Sequence, residues 1–221
     1  MKVCTDACLF GAWIAKYIQS KELRLKHVLD IGSGTGLLSL MIAQNTTALI
    51  EAVEIETEAA KQAFENFSNS SWLKRLVIHN IDINKFSTNN KFDLILSNPP
   101  FYNKSLKSTD ERTNLALHDT GLSLEELVDF GKHNLSEKGL FAILIPHSRV
   151  NEFENIVSKN NLFVKQTCSV RQTENHPLFR TMYILSNYLL SDLNVQEITI
   201  KENGGYSPLF IELLKDYYLN F

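Results

Sequence analysis

The sequence predicts an α/β protein built on a doubly wound, mostly parallel sheet of seven strands with helices on both faces. Short runs rich in β-branched residues alternate along the chain with longer amphipathic stretches, a pattern typical of strand–helix–strand units. The first strong run leads directly into a glycine-rich turn and then into a helical stretch. Because 221 residues fit one large domain better than two, we expect a single domain over residues 1–221.

Each element is predicted from its own pattern of apolar residues. Apolar runs bounded by turn residues predict the seven strands at residues 28–31, 49–54, 76–79, 92–97, 139–146, 164–170 and 182–186. Helical spacing predicts helices at residues 6–17, 37–44, 57–67, 122–135, 150–159 and 207–219. The first helix belongs to an N-terminal segment over residues 1–20 and is expected to be capped by Thr5 or Asp6, whereas Ser123 and Glu126 form a capping-box pattern. The fourth strand must stop at Asn98, because the two prolines that follow lack the amide donors of a central ladder.

Composition and charge exclude several classes of protein. The 22 basic and 25 acidic residues give a net charge of −3, which argues against a globally basic surface for nucleic acid. Three cysteines are too few for a disulfide framework, and neither a signal peptide nor an apolar run of about 18 residues is visible. Cys4 and Cys8 have no second pair of ligands at metal spacing. We therefore expect a cytoplasmic protein with no membrane segment and no metal, whose function depends on local sites.

Three glycines follow the first predicted strand. Gly32, Gly34 and Gly36 lie at the carboxyl end of this strand, where open α/β sheets bind their ligands. A dinucleotide-binding turn would need its third glycine at the position of Leu37, so the sequence excludes this kind of site. The remaining alternatives are a turn that binds another ligand and a tight turn that binds nothing.

Acidic residues at the ends of the first three strands indicate which ligand the turn accepts. Asp30 would repel a phosphate but can pair with an ammonium group. Glu54 is placed to accept both hydroxyls of a ribose, and Asp82 to accept a hydrogen bond from an adenine amino group. A ligand with an ammonium group, a ribose and an adenine but no phosphate is S-adenosylmethionine. The alternative is that each acid is a solvated loop carboxylate.

The segment from Asn98 through Pro99 and Pro100 to Phe101 carries the most specific chemical signal. An amine conjugated to a ring is a poor nucleophile, since its lone pair is delocalised. The Asn98 side-chain oxygen and the Pro99 carbonyl can accept its two N–H hydrogens and direct the lone pair at a methyl donor, while Phe101, aided by Tyr102, stacks on the ring. The alternative is a proline turn with a buried phenylalanine.

These two motifs resemble those of class I, Rossmann-like methyltransferases that act on planar amines, and within them the chain resembles the bacterial valine-tRNA adenine-37 N6-methyltransferases. The likeness runs nearly end to end and is carried, besides the two motifs, by residues 2–6, 11–13, 69–72, Arg75, 206–208 and 216–219. It implies methyl transfer from S-adenosylmethionine to an adenine beside the anticodon, with Asn98, Pro99 and Phe101 in the roles given above. Thr5 and Asp6 match a stretch expected to flank the cofactor.

The chain departs from this family at two places. Members usually have a further segment ahead of Lys2, and they tend to have a basic residue where Leu117 stands. The partner implied by the resemblance is a tRNA, whose single-stranded loop can present a base at little unstacking cost, and no obligate protein partner is evident. Lys104, Lys107 and Arg112 can hold its phosphates, although simple solvation explains such residues equally well.

Three other functions stay open on the sequence alone. Glutamine N5-methyltransferases of release factors use a similar turn on a carboxamide, but they usually have a separate helical domain for which this chain has no room. A guanine-N2 methyltransferase of rRNA faces the same chemical problem. The third alternative is a scaffold that binds S-adenosylmethionine without catalysis.

Overall fold

Strands and helices alternate along most of the chain and build one central sheet. The computed structural model describes residues 4–100, 122–189 and 193–221. Its helices are α1 (Thr5–Ser20), α2 (Leu37–Asn45), α3 (Thr57–Ser68), α4 (Leu124–Asn134), α5 (Val150–Lys159) and α6 (Pro208–Leu214). Its strands are β1 (His27–Ile31), β2 (Leu49–Glu54), β3 (Leu76–Asn80), β4 (Phe92–Ser97), β5 (Leu135–Pro146), β6 (Phe163–Arg171), β7 (Leu178–Ser186), β8 (Asn194–Thr199), β9 (Lys201–Glu202) and β10 (Gly205–Tyr206).

The central sheet has the strand order β3-β2-β1-β4-β5-β7-β6-β8. Strand β7 runs antiparallel to both of its neighbours, whereas all the other neighbouring pairs are parallel. The carboxyl ends of β1 to β6 and of β8 therefore lie at one edge of the sheet, together with the amino end of β7. The predicted doubly wound α/β architecture is confirmed.

The predicted number of seven strands is wrong, because β8 adds an eighth strand parallel to β6. Residues 194–197 are exposed and only Ile198 of β8 is buried. An edge strand with so little buried surface has no apolar pattern from which it can be predicted.

The core consists of two layers, one on each face of the sheet. Alternate residues of a strand point to opposite faces. On β5, Leu140, Ala142 and Leu144 point to one face and pack in a cluster with α1, α2, α3 and α6. Phe141, Ile143 and Ile145 point to the other face and pack with α4 and α5. Helices thus cover both faces, as the sequence predicts.

The capping box before α4 is confirmed, since the Ser123 Oγ accepts from the Glu126 amide and the Glu126 carboxylate accepts from the Ser123 amide. The last helix is shorter than predicted. It ends at Leu214 rather than at residue 219, because the amides of Tyr217 and Tyr218 both donate to the Leu214 carbonyl and form a turn.

Helix α1 is tied to distant parts of the chain. Its N-cap is Cys4, without a side-chain capping bond, so the prediction that Thr5 or Asp6 caps the helix is wrong. The Asp6 carboxylate instead accepts from Arg180 Nε at 2.9 Å, at the start of β7. On the neighbouring α6, Glu212 accepts from Lys16 Nζ at 3.0 Å. Asp6 therefore joins α1 to the sheet.

Candidate active site

The glycine turn has the backbone geometry that only glycine adopts without strain. Gly32, Gly34 and Gly36 have φ angles of +69°, +57° and +82°. A Cβ added to Gly36 would lie 2.4 Å from Cε1 of Phe67, so this glycine lets α3 pack against the turn. A Cβ added to Gly32 would meet nothing within 4 Å, which means that this side of the turn is open to a ligand.

Glu54 supports the turn from the end of β2. Its side chain is buried, Oε2 accepts from the Gly34 amide at 2.7 Å, and Oε1 accepts from the Glu56 amide at 2.9 Å. Each carboxylate oxygen has two lone pairs and therefore retains one acceptor position. Glu54 thus stabilises the glycine turn and can still accept hydrogen bonds from a ligand.

Asp30 is completely buried on β1. Its Oδ2 accepts from the Ser39 amide at 3.1 Å and from the Ser39 hydroxyl at 2.7 Å, while Oδ1 has no hydrogen-bond partner among the described residues. Burial, together with the smaller effect of the nearby Glu54 charge, raises the pKa of Asp30 to about 7 against the opposing effect of the Ser39 bonds. A buried carboxylate oxygen without a partner is costly, and a cationic group offers the partner it lacks.

Asp82 lies just beyond β3 and is partly buried. Its Oδ1 accepts from the Asn84 amide at 2.9 Å and caps a short 3₁₀ turn at Ile83–Lys85. The adjoining strand ends are fixed by Asn80, whose Nδ2 donates to the Glu54 carbonyl at 2.9 Å. Asp82 therefore lies at the same edge of the sheet as the glycine turn.

The Asn98 segment leaves β4 beside the glycine turn. Ser97 is in register with Ile31 on β1, and its hydroxyl donates to the Ile31 carbonyl at 2.9 Å. The residues that follow these two, Asn98 and Gly32, are therefore neighbours. Asn98 is partly buried, and its successors Pro99 and Pro100 are buried and exposed respectively.

Thr5 is exposed at the start of α1 and its side chain hydrogen-bonds to Tyr218. Because Asp6 reaches Arg180, which pairs with Pro146 at the end of β5, the start of α1 lies at the same edge as the glycine turn.

The remaining predicted site residues lie outside the described residues: Phe101, Tyr102, Lys104, Lys107 and Arg112.

The structure thus brings together at one edge most of the predicted cofactor residues and the first part of the Asn98 segment. Two supporting residues, Ser39 and Asn80, were not predicted from the sequence. A serine in an otherwise apolar stretch of α2 is the signal that points to the first. Among the described residues, no group of three or more His, Cys, Asp or Glu side chains could hold a metal ion. In the same part of the chain, no helix is long and apolar enough to span a membrane.

Comparisons with known proteins agree with this geometry. Residues 12–149 match the methyltransferase small domain family. The chain is 39% identical to a tRNA1(Val) (adenine(37)-N6)-methyltransferase of Christiangramia forsetii, with 99% of this chain and 91% of that protein aligned. It is 34% identical to a protein of the same name from Yersinia enterocolitica, with 100% and 87% aligned.

Among solved structures, an S-adenosylmethionine-dependent methyltransferase from Clostridium acetobutylicum has a similar fold. The TM-score is 0.60 at 14% sequence identity, and the similarity covers 83% of this chain and 92% of the other.

Proposed function

Because the chain belongs to the family of tRNA1(Val) (adenine(37)-N6)-methyltransferases, we propose that it transfers a methyl group to N6 of adenine 37 in a valine tRNA. The chain is a methyltransferase, and its methyl donor is S-adenosylmethionine. The observation that carries the proposal for an amine substrate is the position of Asn98 directly beside Gly32, at the edge where β1 and β4 end. With a tRNA as substrate, we expect the enzyme in the cytoplasm.

The residues at this edge fit S-adenosylmethionine. The unpartnered Oδ1 of Asp30 suits its ammonium group, and the remaining lone pairs of Glu54 suit the two ribose hydroxyls. Asp82 is then the acceptor for the adenine amino group, and Gly32 leaves room for the ligand to approach the backbone. Thr5 would flank the cofactor from α1.

When it is bound, the cofactor supplies an electrophilic methyl group on a positively charged sulfur. The chain's own contribution is to hold the target amine in line with that carbon. The Asn98 Oδ1 and the Pro99 carbonyl accept the two N–H hydrogens, which favours a pyramidal nitrogen with its lone pair free. Pro99 has a fixed φ, and Pro100 restricts the ψ that orients the Pro99 carbonyl, so this carbonyl is held before the substrate arrives.

The transfer needs no metal and no strong base. The transfer would exchange a C–S bond for an N–C bond, and the cationic methylated nitrogen, acidic because it is attached to the ring, would lose its proton to water. Phe101 and Tyr102 are proposed to stack on the flipped adenine, and Lys104, Lys107 and Arg112 to hold the phosphates of the loop.

The test is incubation with labelled S-adenosylmethionine and valine tRNA that lacks the modification, followed by digestion to nucleosides. We expect N6-methyladenosine, and a tRNA with guanine at position 37 should receive no label. N2-methylguanosine, or label in release factor alone, would identify one of the alternative substrates and refute the proposal.

Asn98→Ala should retain the affinity for the cofactor but lose turnover by about 100-fold or more, because it removes a preorganised acceptor. The matched control is Asn160→Ala, because Asn160 follows α5 at the opposite edge of the sheet. Among the described residues its side chain bonds its own helix, donating to the Ile156 carbonyl at 3.0 Å. Equal turnover of the two variants would mean that Asn98 does not hold the amine.

A further inference from the structure

Ser39 is a polar side chain in the first turn of α2, and the other buried residues of this helix are all apolar. It is completely buried, and its amide and hydroxyl both bind one oxygen of Asp30. The N-cap of α2 is Gly36, which has no side chain, so the Asp30 carboxylate provides the capping acceptor for this helix. The contact therefore links the start of α2 to the carboxylate on β1.

The two oxygens of the Asp30 carboxylate differ in their hydrogen bonding. Both bonds end on Oδ2, whereas Oδ1 is buried without a partner among the described residues. The charged group that acts on Asp30 is Glu54, whose negative charge disfavours ionisation as burial does, and the Ser39 bonds oppose both effects. Ser39 thus controls both the orientation of Asp30 and its readiness to ionise.

We propose that Ser39 is a positioning residue for S-adenosylmethionine: it fixes one oxygen of Asp30 so that the other meets the cofactor's ammonium group as an ionised acceptor. The inference rests on the proposed role of Asp30 in the cofactor site. Because the raised pKa of about 7 leaves Asp30 partly protonated before binding, the arriving cation displaces a proton from this carboxyl group to solvent. Cofactor binding is therefore coupled to proton release.

The first experiment uses the full chain without substitution. Titration calorimetry with S-adenosylmethionine, in two buffers of different ionisation enthalpy, measures the protons released per site. With a pKa of about 7 for Asp30, we expect release of about three quarters of a proton at pH 6.5 and about one quarter at pH 7.5. Binding without proton release at pH 6.5 would overturn the inference but leave the proposed function intact, whereas absence of binding at both pH values would refute the cofactor site itself.

The second experiment separates positioning from packing. Ser39→Ala keeps the hydrogen bond from the backbone amide of residue 39 to Asp30 but removes the one from the hydroxyl. We expect its Kd for S-adenosylmethionine to rise about tenfold at pH 7. On binding the cofactor at pH 7.5, the Ser39→Ala protein should also release more protons than the wild type. Loss of the Ser39 hydroxyl removes a bond that lowers the pKa of Asp30, so more of this group is protonated before binding. Asp30→Asn should bind weakly with no proton release, which tests Asp30 as the source of the proton, and Ser39→Thr, which keeps a hydroxyl, should restore binding toward the wild-type Kd.

The matched control is Ser186→Ala. Ser186 is also completely buried, and its hydroxyl donates to the Tyr188 carbonyl at 2.7 Å, but it lies at the opposite edge of the sheet. It should retain the wild-type Kd and proton release. A Ser39→Ala protein with wild-type values for both would show that the hydroxyl contributes packing alone and would overturn the inference.

Discussion

Gly32 and Gly36 belong to one turn, yet alanine at Gly36 is expected to act mainly on stability and alanine at Gly32 mainly on cofactor binding. At Gly36, a φ of +82° costs a side chain about 1–2 kcal/mol. The added Cβ would also lie 2.4 Å from the buried ring of Phe67, and displacing that ring costs about 1–3 kcal/mol more. Gly36→Ala should therefore lower the free energy of unfolding by about 2–5 kcal/mol. Urea denaturation of the full chain measures this loss.

Gly32→Ala has the same backbone strain without the clash, since its φ is +69° and nothing lies within 4 Å of the added Cβ. Its stability loss should stay at about 1–2 kcal/mol, but its Kd for S-adenosylmethionine should rise because the methyl group enters the open side of the turn. Phe67→Leu makes room at the other site, so the double variant with Gly36→Ala should lose less stability than the sum of the single losses. Equal stability losses at Gly36 and Gly32, together with additive losses in the double variant, would refute the reasoning.

Two further predictions concern stability. Because the folded state holds the pKa of Asp30 at about 7 instead of 3.8, this group favours folding fully below pH 4 and progressively less as the pH rises to 7. Denaturation at pH 5 and pH 8 should show that the wild type loses about 3 kcal/mol relative to Asp30→Asn over this interval; a constant difference would contradict the shift. Ser123→Ala removes the acceptor for the Glu126 amide at 3.1 Å, and it should cost about 1 kcal/mol and lower Tm by about 2–4 °C. An unchanged Tm in a thermal scan would show that the capping box contributes nothing.

The sequence predicted the elements whose apolar residues are buried. Strands β1 to β7 and helices α1 to α6 were located, because each buries an apolar face that leaves a periodic pattern. Strand β8 was missed because Ile198 is its only buried residue, so its backbone pairing with β6 and polar contacts such as the bond from Gln166 to Gln196 leave no apolar pattern. The first helix was located without its true N-cap, because Asp6 binds Arg180, which lies 174 residues away along the chain.

The candidate site divides in the same way. Gly32, Glu54 and Asn98 were identified from the order of strands and turns, which determines the edge at which they meet. Their supporting contacts were not predictable, since the bonds from Gly34 to Glu54 and from Ser39 to Asp30 depend on the path of the backbone in three dimensions. A pattern of residue types specifies where a strand ends but not which donors its side chain will meet.

The attachment of α1 to β7 and α6 has a consequence for biosynthesis. This helix is translated before the residues that hold it, since Arg180 and Glu212 lie 174 and 196 residues further along the chain than their partners Asp6 and Lys16. During most of translation its apolar face, including Leu9, Phe10 and Ile14, has no complete surface to cover it. The surface that covers α1 is therefore complete only after β7 and α6 have been translated, and until then the nascent helix has to avoid premature association.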